Sequence, residues 1–289
     1  SYTAAMALPE DQTFCGQLQR LLNGEAAGNR EWQVMNFGIF GSGTGQELAL
    51  YRHVVRNLQP DIVIVAFGNA TDLRDNSSEL SSNPIVQFAL TESGKLERMA
   101  LSNDRIRLSN VLNDVSRFYS WQKQKTKSLK LLWQHKAAVN SGRSLVYAEN
   151  EPPAYTRAWE LTSALLDTFR EECEADRCRL MVFAIPSSHQ VYRDHFEELE
   201  KEICDADLDP LHPDRRLADA CQEHDIPFLS LTENFQQHGW NSSYRDETRH
   251  LFFNGTGHLN ERGSRLAAEQ MSEWLSKTRL AEQQQLQRL

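Results

Sequence analysis

The strongest constraint on the fold is a glycine-rich block at residues 34–47, where an apolar run enters and a helical pattern leaves. Strand, glycine turn and helix in this order is how an α/β sheet builds a site at the carboxyl ends of its strands. The glycines allow close backbone approach and leave N–H groups that can face an anion or oxyanion. Thr44 and Glu47 have the spacing of a capping box, which predicts a helix beginning at Thr44. The same glycines could serve only a tight turn.

Apolar runs alternate with helical periods along most of the chain. The expected strands are residues 32–37, 62–67, 179–185 and 226–231, and the expected helices are residues 11–23, 44–58, 155–175, 189–204, 213–224 and 260–280. The run at 62–67 is continuously apolar and rich in β-branched residues, which is typical of a parallel strand buried on both faces. This alternation predicts a single domain over residues 1–289, built as a three-layer α/β/α sandwich around a parallel sheet.

The alternation of strands and helices becomes less regular over residues 77–154, which we interpret as a helical insertion within that domain. The polar stretch at 72–84 predicts a loop. Within the insertion, residues 119–138 contain no acidic residue and carry five lysines, namely Lys123, Lys125, Lys127, Lys130 and Lys136. A basic, partly apolar helix of this kind can form a lid over a site or rest on a membrane surface. We favour the lid.

Composition excludes several classes of function. The 289 residues carry a formal net charge of −9, which argues against nucleic acid as the main partner. No apolar run approaches the ~20 residues that a transmembrane helix needs. The five cysteines do not form a disulfide framework and match no zinc spacing. Cys173 and Cys178 could pair in an oxidising compartment, but we favour reduced thiols, and the sequence leaves the compartment open.

The motifs of the chain bear on three kinds of chemistry. Dinucleotide binding is weakly supported, because residues 41–45 do not form G-x-G-x-x-G and no G-K-[ST] loop is present. Metal-dependent hydrolysis lacks support, because the nine histidines include no H-E-x-x-H. Nucleophilic ester hydrolysis is favoured, because four polar blocks fall where the carboxyl ends of parallel strands would place them. These blocks are residues 1–3, 38–46, 68–76 and 254–263.

The order and spacing of these blocks resemble the SGNH (GDSL-type) hydrolase superfamily, serine esterases on a flavodoxin-like sandwich. The resemblance runs over nearly the whole chain. The opening residues Ser1-Tyr2-Thr3, Leu8-Pro9 and Thr13-Phe14 fall at the family's spacings. On this resemblance Ser1 is the nucleophile, and the sequence begins without the family's first strand and the Gly-Asp that follows it. Alternatively, Ser1 is an ordinary residue.

Two further blocks carry the resemblance. Asn36, Gly41 and Gln46 match the family's Asn-x-Gly-x-x-Gly-x-Gly-Thr-x-Gln pattern, which implies that the Gly41 N–H is an oxyanion-hole donor. His258 lies in a His-Leu-Asn-x-x-Gly ending, which implies that it is the general base. A lone histidine is usually structural, but here the neighbouring residues also match the family's motif at the same spacing.

The third block departs from the family pattern. Where the family has Gly-Asn-Asp, with the Asn side chain donating to the oxyanion, this chain has Ala70-Thr71-Asp72. The Thr71 hydroxyl could replace that donor, or Asn69 could reach the same position. Loss of one such donor typically lowers turnover by about 10²–10³-fold.

The fourth block also departs. The family places an Asp two or three residues before the His, and these positions here are Thr256 and Gly255. Loss of the acid that orients the histidine lowers turnover by about 10⁴-fold in serine proteases. Asp246 or Glu247 could substitute from the preceding loop, or a backbone carbonyl could orient the ring. These departures from the family pattern are compatible with a slow enzyme or with one that has lost its activity.

The sequence therefore supports one main hypothesis and one from a different class. The main hypothesis is hydrolysis, or acyl transfer, of a small-molecule or glycan carboxylic ester, with no metal or organic cofactor. The competing hypothesis is a non-catalytic member of the same family that binds an acylated or carbohydrate ligand. The retained Ser1, Gly41 and His258 favour the enzyme, while the two departures favour the binding protein.

Overall fold

A computed structural model of the chain describes residues 2–5, 7–24, 31–39, 41–81, 88–91, 93–99, 145–203, 206–246, 250–253 and 257–286, with side chains of the last helix described to residue 278. The helices are α1 Phe14–Leu22, α2 Thr44–His53, α3 Asp72–Asn76, α4 Pro153–Ala175, α5 Ser188–Val191, α6 Arg193–Glu202, α7 His212–Glu223, α8 Thr232–Gly239 and α9 Glu261–Leu286. The strands are β1 Ile62–Gly68, β2 Phe88–Leu90, β3 Leu96–Arg98, β4 Arg179–Ile185 and β5 Phe228–Ser230.

The main sheet is parallel, in the order β1-β4-β5. β4 is the middle strand, and its side chains alternate between two separate hydrophobic cores, as the two-residue period of a strand requires. One core takes Leu180, Val182 and Ala184, and the other takes Met181, Phe183 and Ile185. The described chain is therefore mixed α/β around a parallel sheet with a core on each face, which is compatible with the predicted α/β sandwich.

Helices cover each face. The first core is closed by α2, α4 and α7, through side chains that include Leu48, Trp159, Leu166 and Leu217. The second core is closed by α1, α8 and α9, through side chains that include Phe14, Leu18, Phe235 and Met271. Because both layers press on β4, that strand is buried along almost its whole length.

Several predicted element bounds need correction. The helix expected at 44–58 ends at His53 and continues as a 3₁₀ turn over Val55–Leu58. The helix expected at 189–204 is divided in two by Tyr192, whose backbone is extended (φ −110°, ψ 119°). The polar stretch at 72–84 contains α3, and sequence patterns missed both α8 and the β2–β3 hairpin. Elements this short contain too few repeats of the helical or strand period of apolar residues to be detected in the sequence.

The strand expected at 32–37 is absent. The backbone of residues 31–39 has no strand ladder, although its side chains alternate between exposed and half-buried over residues 31–35. The N–H groups of Trp32 and Val34 donate instead to the side chains of Asn23 and Gln19. A strand exists only when a second strand bonds to it, and no described segment lies in that position.

The insertion is only partly described. Residues 100–144, including the basic stretch 119–138 interpreted as a lid or membrane-surface helix, lie outside the described residues. The described part contains the antiparallel hairpin β2–β3, whose Phe88 packs into the first core. Among the helices that the structure describes, none is both long enough and apolar enough to cross a membrane.

Candidate active site

The carboxyl ends of the three parallel strands meet at one edge of the sheet. The Asn69 N–H, just beyond β1, donates to the Ile185 carbonyl at the end of β4 (3.1 Å). The Leu231 N–H, just beyond β5, donates to the Ala184 carbonyl (3.2 Å). The segments that follow these strands are therefore held side by side, as expected for a site in a parallel sheet.

The opening segment lies at this edge, against the fourth block. The rings of Tyr2 and His258 are tilted against each other, with their centroids 5.3 Å apart. Burial, and secondarily the charge of Asp72, raise the pKa of the Tyr2 phenol, which therefore stays protonated. Ser1 lies outside the described residues. The structure thus brings the residue next to the candidate nucleophile to the candidate base, although 256 positions separate Tyr2 and His258 in the sequence.

The glycine block packs against the same segment. Asn36 Nδ2 donates to the Thr3 carbonyl (2.7 Å), and Asn36 Oδ1 accepts from the Gly38 N–H (2.9 Å). A side chain at Gly38 would overlap the backbone of Thr3 and Ala4. Asn36 and Gly38 therefore fix how close the block comes to the opening segment, which is a specific reason for these two residue types.

Gly41 stands next to this contact in the left-handed region (φ 63°), where residues with a side chain are strained. α2 begins at Thr44, as predicted, but the capping pair differs from the expected one. Gln46 Oε1 accepts from the Gly43 N–H (2.7 Å), so the side chain that caps the helix is that of Gln46, and the expected Thr44–Glu47 pair is not the cap.

Asn76, which sequence reasoning did not single out, fastens the start of α2. Its Oδ1 accepts from the Gly45 N–H (3.2 Å), and its Nδ2 lies within hydrogen-bond distance of Thr44 Oγ1 and Thr162 Oγ1. A Cβ at Gly43 would lie 2.7 Å from Asn76 Oδ1. The sequence feature that could have indicated this role is the position of Asn76 shortly after a buried strand.

The two alternative oxyanion donors are both engaged elsewhere. The Thr71 hydroxyl donates to Asp72 Oδ1 (2.9 Å), and Asp72 Oδ2 accepts from the Gly68 N–H (2.9 Å). Asn69 is fully buried, and its Nδ2 donates to Asp214 (2.8 Å). Either side chain would have to exchange its present partner before it could donate to an oxyanion.

Asp214, which no motif revealed, is the centre of a buried hydrogen-bond network that joins the ends of the strands. Its Oδ2 accepts from Asn69 and Gln190, each at 2.8 Å, and its Oδ1 accepts from Ser230 (2.5 Å) and Thr232 (2.7 Å). Burial raises the pKa of Asp214, although the four hydrogen bonds oppose that change. This one carboxylate binds residues that follow β1, β4 and β5.

The described residues on either side of positions 254–256 are joined as a hairpin by the antiparallel bridge between Phe252 and Leu259. Asn260 donates from Nδ2 to the carbonyls of His250 (2.9 Å) and Phe252 (3.3 Å), and its Oδ1 accepts from the Gly263 N–H (3.1 Å). A side chain at Gly263 would overlap the Leu251 carbonyl. Asn260 and Gly263 therefore have structural roles: they fix the hairpin that presents His258.

Stacked rings hold the loop that precedes this hairpin. The rings of His189 and His195 stack with centroids 3.8 Å apart, those of His195 and Tyr244 at 4.0 Å, and those of Tyr244 and His250 at 5.0 Å. Burial lowers the pKa of His189 to about 3 and also lowers that of His195, so both imidazoles are neutral near pH 7. Asp246, the proposed substitute acid, lies in this loop, where its N–H donates to the Ser243 carbonyl (3.0 Å).

Glu47 and Asp72 form a pair of carboxylates behind the site. Burial raises the pKa of Glu47, and the charge of Asp72 raises it further. Burial also raises the pKa of Asp72, although the Gly68 N–H and the Thr71 hydroxyl oppose the change. Glu47 Oε2 is buried and has no hydrogen-bond partner among the described residues. No group of three or more metal-ligating side chains occurs in the described part of the chain.

This pair predicts a pH-dependent stability. With a raised pKa the folded chain keeps a proton that the unfolded chain loses, so the free energy of unfolding falls as pH rises from the ordinary carboxyl range toward neutrality. We expect Glu47→Gln to remove most of this loss, a difference of about 1–2 kcal/mol between pH 5 and pH 8. Urea denaturation of both proteins at the two pH values measures it. Glu160→Gln, on the exposed side of α4, is the control; parallel profiles for the wild type and Glu47→Gln would contradict the interpretation.

No model of a known protein family matches the chain, and no curated protein matches it significantly. The resemblance to SGNH hydrolases therefore rests on the four sequence blocks.

Proposed function

We propose that this protein is an ester hydrolase of the SGNH type that acts on a small-molecule or glycan carboxylic ester. The single observation that carries the proposal is the contact between Tyr2 and His258, with ring centroids 5.3 Å apart. It supports a nucleophile and a base from opposite ends of the sequence at one place. The placement of the glycine block beside Thr3 adds support.

The proposed chemistry is acyl transfer through a covalent intermediate. Ser1 Oγ attacks the ester carbonyl carbon while His258 accepts the hydroxyl proton. The N–H groups of Ser1 and Gly41 stabilise the oxyanion, with Thr71 or Asn69 as a further donor after a change of partner. The alcohol leaves with the proton from His258, and water then attacks the acyl-enzyme and releases the acid. Asp246 is the proposed acid that orients His258.

The test is hydrolysis of p-nitrophenyl acetate and butyrate together with labelling by a fluorophosphonate. We expect the probe to modify Ser1, and Ser1→Ala to lower kcat/KM by about 10³-fold or more. Ser42→Ala is the matched control, because Ser42 is a buried serine in the neighbouring glycine block. Labelling that persists in Ser1→Ala and disappears in Ser42→Ala would overturn the assignment of the nucleophile.

A specific observation favours the competing function, a binding protein on the same scaffold. The hydroxyl of Thr71 and the amide of Asn69 are both committed to carboxylates, Asp72 and Asp214. A site kept for binding does not need an oxyanion donor at this position. Binding of an acylated sugar without turnover, measured by calorimetry beside the hydrolysis assay, would favour this function over the enzyme.

A further inference from the structure

A second group of serine, histidine and carboxylate side chains lies where α4 and α7 pack together. Ser163 Oγ lies 2.8 Å from His224 Nε2. On the other side of the ring, His224 Nδ1 lies 3.4 Å from Asp167 Oδ1. His224 follows α7 and precedes β5, so it lies toward the amino ends of the strands, opposite the candidate active site. A hydroxyl, an imidazole and a carboxylate in this order are the groups of a nucleophilic serine site.

α4 supplies both the hydroxyl and the carboxylate. Ser163 and Asp167 are four positions apart in this helix, so their side chains lie on the same face. Arg170, on the next turn, donates from Nη2 and Nε to Asp167 Oδ1 (2.7 and 3.2 Å), the same oxygen that faces the imidazole. The carboxylate therefore has a fixed position beside the ring.

The end of α7 holds the imidazole against that face of α4. Asp225 has a left-handed backbone (φ 54°), and the Ile226 N–H donates to the Cys221 carbonyl (2.8 Å), which closes the helix. The side chains of Cys221 and Ile226 are both buried in the first core. Because His224 lies between these two anchors, the position of its backbone is set by the turn.

The contacts of the ring define which nitrogen accepts a proton. A carboxylate beside Nδ1 favours the tautomer with hydrogen on that nitrogen, so Nε2 carries the lone pair and accepts from the Ser163 hydroxyl. The 3.4 Å contact between His224 and Asp167 is longer than an ordinary hydrogen bond, which is common in catalytic sites without a bound reactant. Glu223 Oε2, 3.3 Å from Ser163 Oγ, is a competing acceptor for the same hydroxyl.

The three side chains are open to small molecules. Ser163 is half-buried, and the exposed fractions of the His224 and Asp167 side chains are 18% and 34%. A reagent in solution can therefore reach the hydroxyl, while the histidine keeps most of its surface against the two helices.

The backbone donors around Ser163 are already engaged. Ser163 lies in the middle of α4, where N–H groups bond along the helix. At the end of α7 the N–H groups of His224 and Asp225 both donate to the Gln222 carbonyl. Lack of an oxyanion donor typically lowers the rate by about 10²–10³-fold, both for attack on an acyl group and for hydrolysis of the ester that forms. The arrangement therefore suits one slow transfer rather than repeated turnover.

We propose that Ser163 is a covalent modification site that takes one acyl group from a small activated acyl donor, with His224 as general base and Asp167 as its positioning residue. Ser163 Oγ forms a bond to the carbonyl carbon, and His224 Nε2 accepts the hydroxyl proton. The bond from that carbon to the leaving oxygen breaks, and the leaving group departs with the proton from His224. The product is an ester on Ser163. This site does not depend on the function proposed for Ser1 and His258.

The test is acetylation of the whole chain by p-nitrophenyl acetate, followed by peptide mass spectrometry. Ser276 is the internal control, because it is exposed and its hydroxyl donates to the Ser272 carbonyl instead of a histidine. We expect Ser163 to be acetylated about tenfold faster than Ser276, or more. His224→Gln keeps a hydrogen-bonding side chain without the base and should lower the rate at Ser163 to that at Ser276. Asp167→Asn should lower it by about three- to tenfold.

Two results would overturn the assignment of His224 as base. Equal acetylation of Ser163 and Ser276 in the wild type is the first, and it requires no variant to fold. The second is a rate at Ser163 that is unchanged in His224→Gln, in which case the hydrogen bond only fastens α7 to α4.

Ser1→Ala separates this site from the candidate active site. Its Ser163 should be acetylated at the wild-type rate, because His224 activates the hydroxyl directly. Loss of the Ser163 ester in Ser1→Ala would instead show that the acyl group is passed on from the candidate active site, which contradicts the proposal.

Discussion

Replacing His258 with Ala should lower kcat/KM for p-nitrophenyl butyrate by about 10²–10⁴-fold, the usual contribution of a general base. In the proposed mechanism the imidazole accepts the nucleophile's proton, and its ring lies 5.3 Å from the Tyr2 ring, centroid to centroid. Because the residues at the family's acid position are Gly255 and Thr256, the starting rate is itself expected to be low. The measurement therefore needs single-turnover or burst conditions that detect slow acylation.

The control for this substitution is His238→Ala, at an exposed histidine on α8. Its rate should match the wild type, and both variants should keep the wild-type thermal midpoint within a few degrees. Added imidazole should restore part of the rate of His258→Ala, because a small base can enter the space of the missing ring. A His258→Ala variant with undiminished kcat/KM would remove this histidine from the mechanism, and Asp246→Asn beside it tests the substitute acid.

Replacing Asp214 with Ala should lower the free energy of unfolding by about 3–5 kcal/mol, the largest stability change that we expect from one substitution. The carboxylate accepts from Ser230 and from the fully buried side chains of Asn69, Gln190 and Thr232, and its removal takes this acceptor from all four. Relief of the charge's own desolvation offsets only part of this cost. Urea denaturation measures the difference.

The matched control is Asp219→Ala, which removes an exposed carboxylate from the same helix, α7. Its effect should stay within about 0.5 kcal/mol, as for most surface positions. Asp214→Asn should lie between the two, because one oxygen remains but an amide now faces two donors. If Asp214→Ala proves no more destabilising than Asp219→Ala, the network does not hold the strand ends together.

The network also matters for the site, because Asn69 begins the turn that carries Thr71. With Asp214 removed, that turn loses its anchor to the segments after β4 and β5. Activity and stability should therefore fall together in Asp214→Ala, whereas His258→Ala should lose activity alone. This contrast separates a positioning role from a chemical one.

The sequence by itself determined the elements that have many periods or strong local signals. The run at 62–67 and that at 179–185 are strands, and the start of α2 at Thr44 is correct, because glycine and Gln46 act within a few residues of each other. The two-sided burial of the sheet follows from uninterrupted apolar strands alternating with amphipathic helices. Three of the four polar blocks were also visible in the sequence, because the block at 68–76 follows a strand and those at 38–46 and 254–263 run into the start of a helix.

Tertiary structure alone decided the contacts between those blocks. Asp214, which belongs to no motif, is the centre of the hydrogen-bond network at the strand ends, because α7 brings it there. As residue types, Thr71 and Asn69 were compatible with a role as oxyanion donors. In the structure their side chains donate to Asp72 and Asp214 instead. Residues 32–37 had a strand's sequence and formed no strand, because strand formation depends on a neighbour. Local propensity depends on a few adjacent residues, whereas the partner of a long-range hydrogen bond depends on how chain segments far apart in sequence pack together.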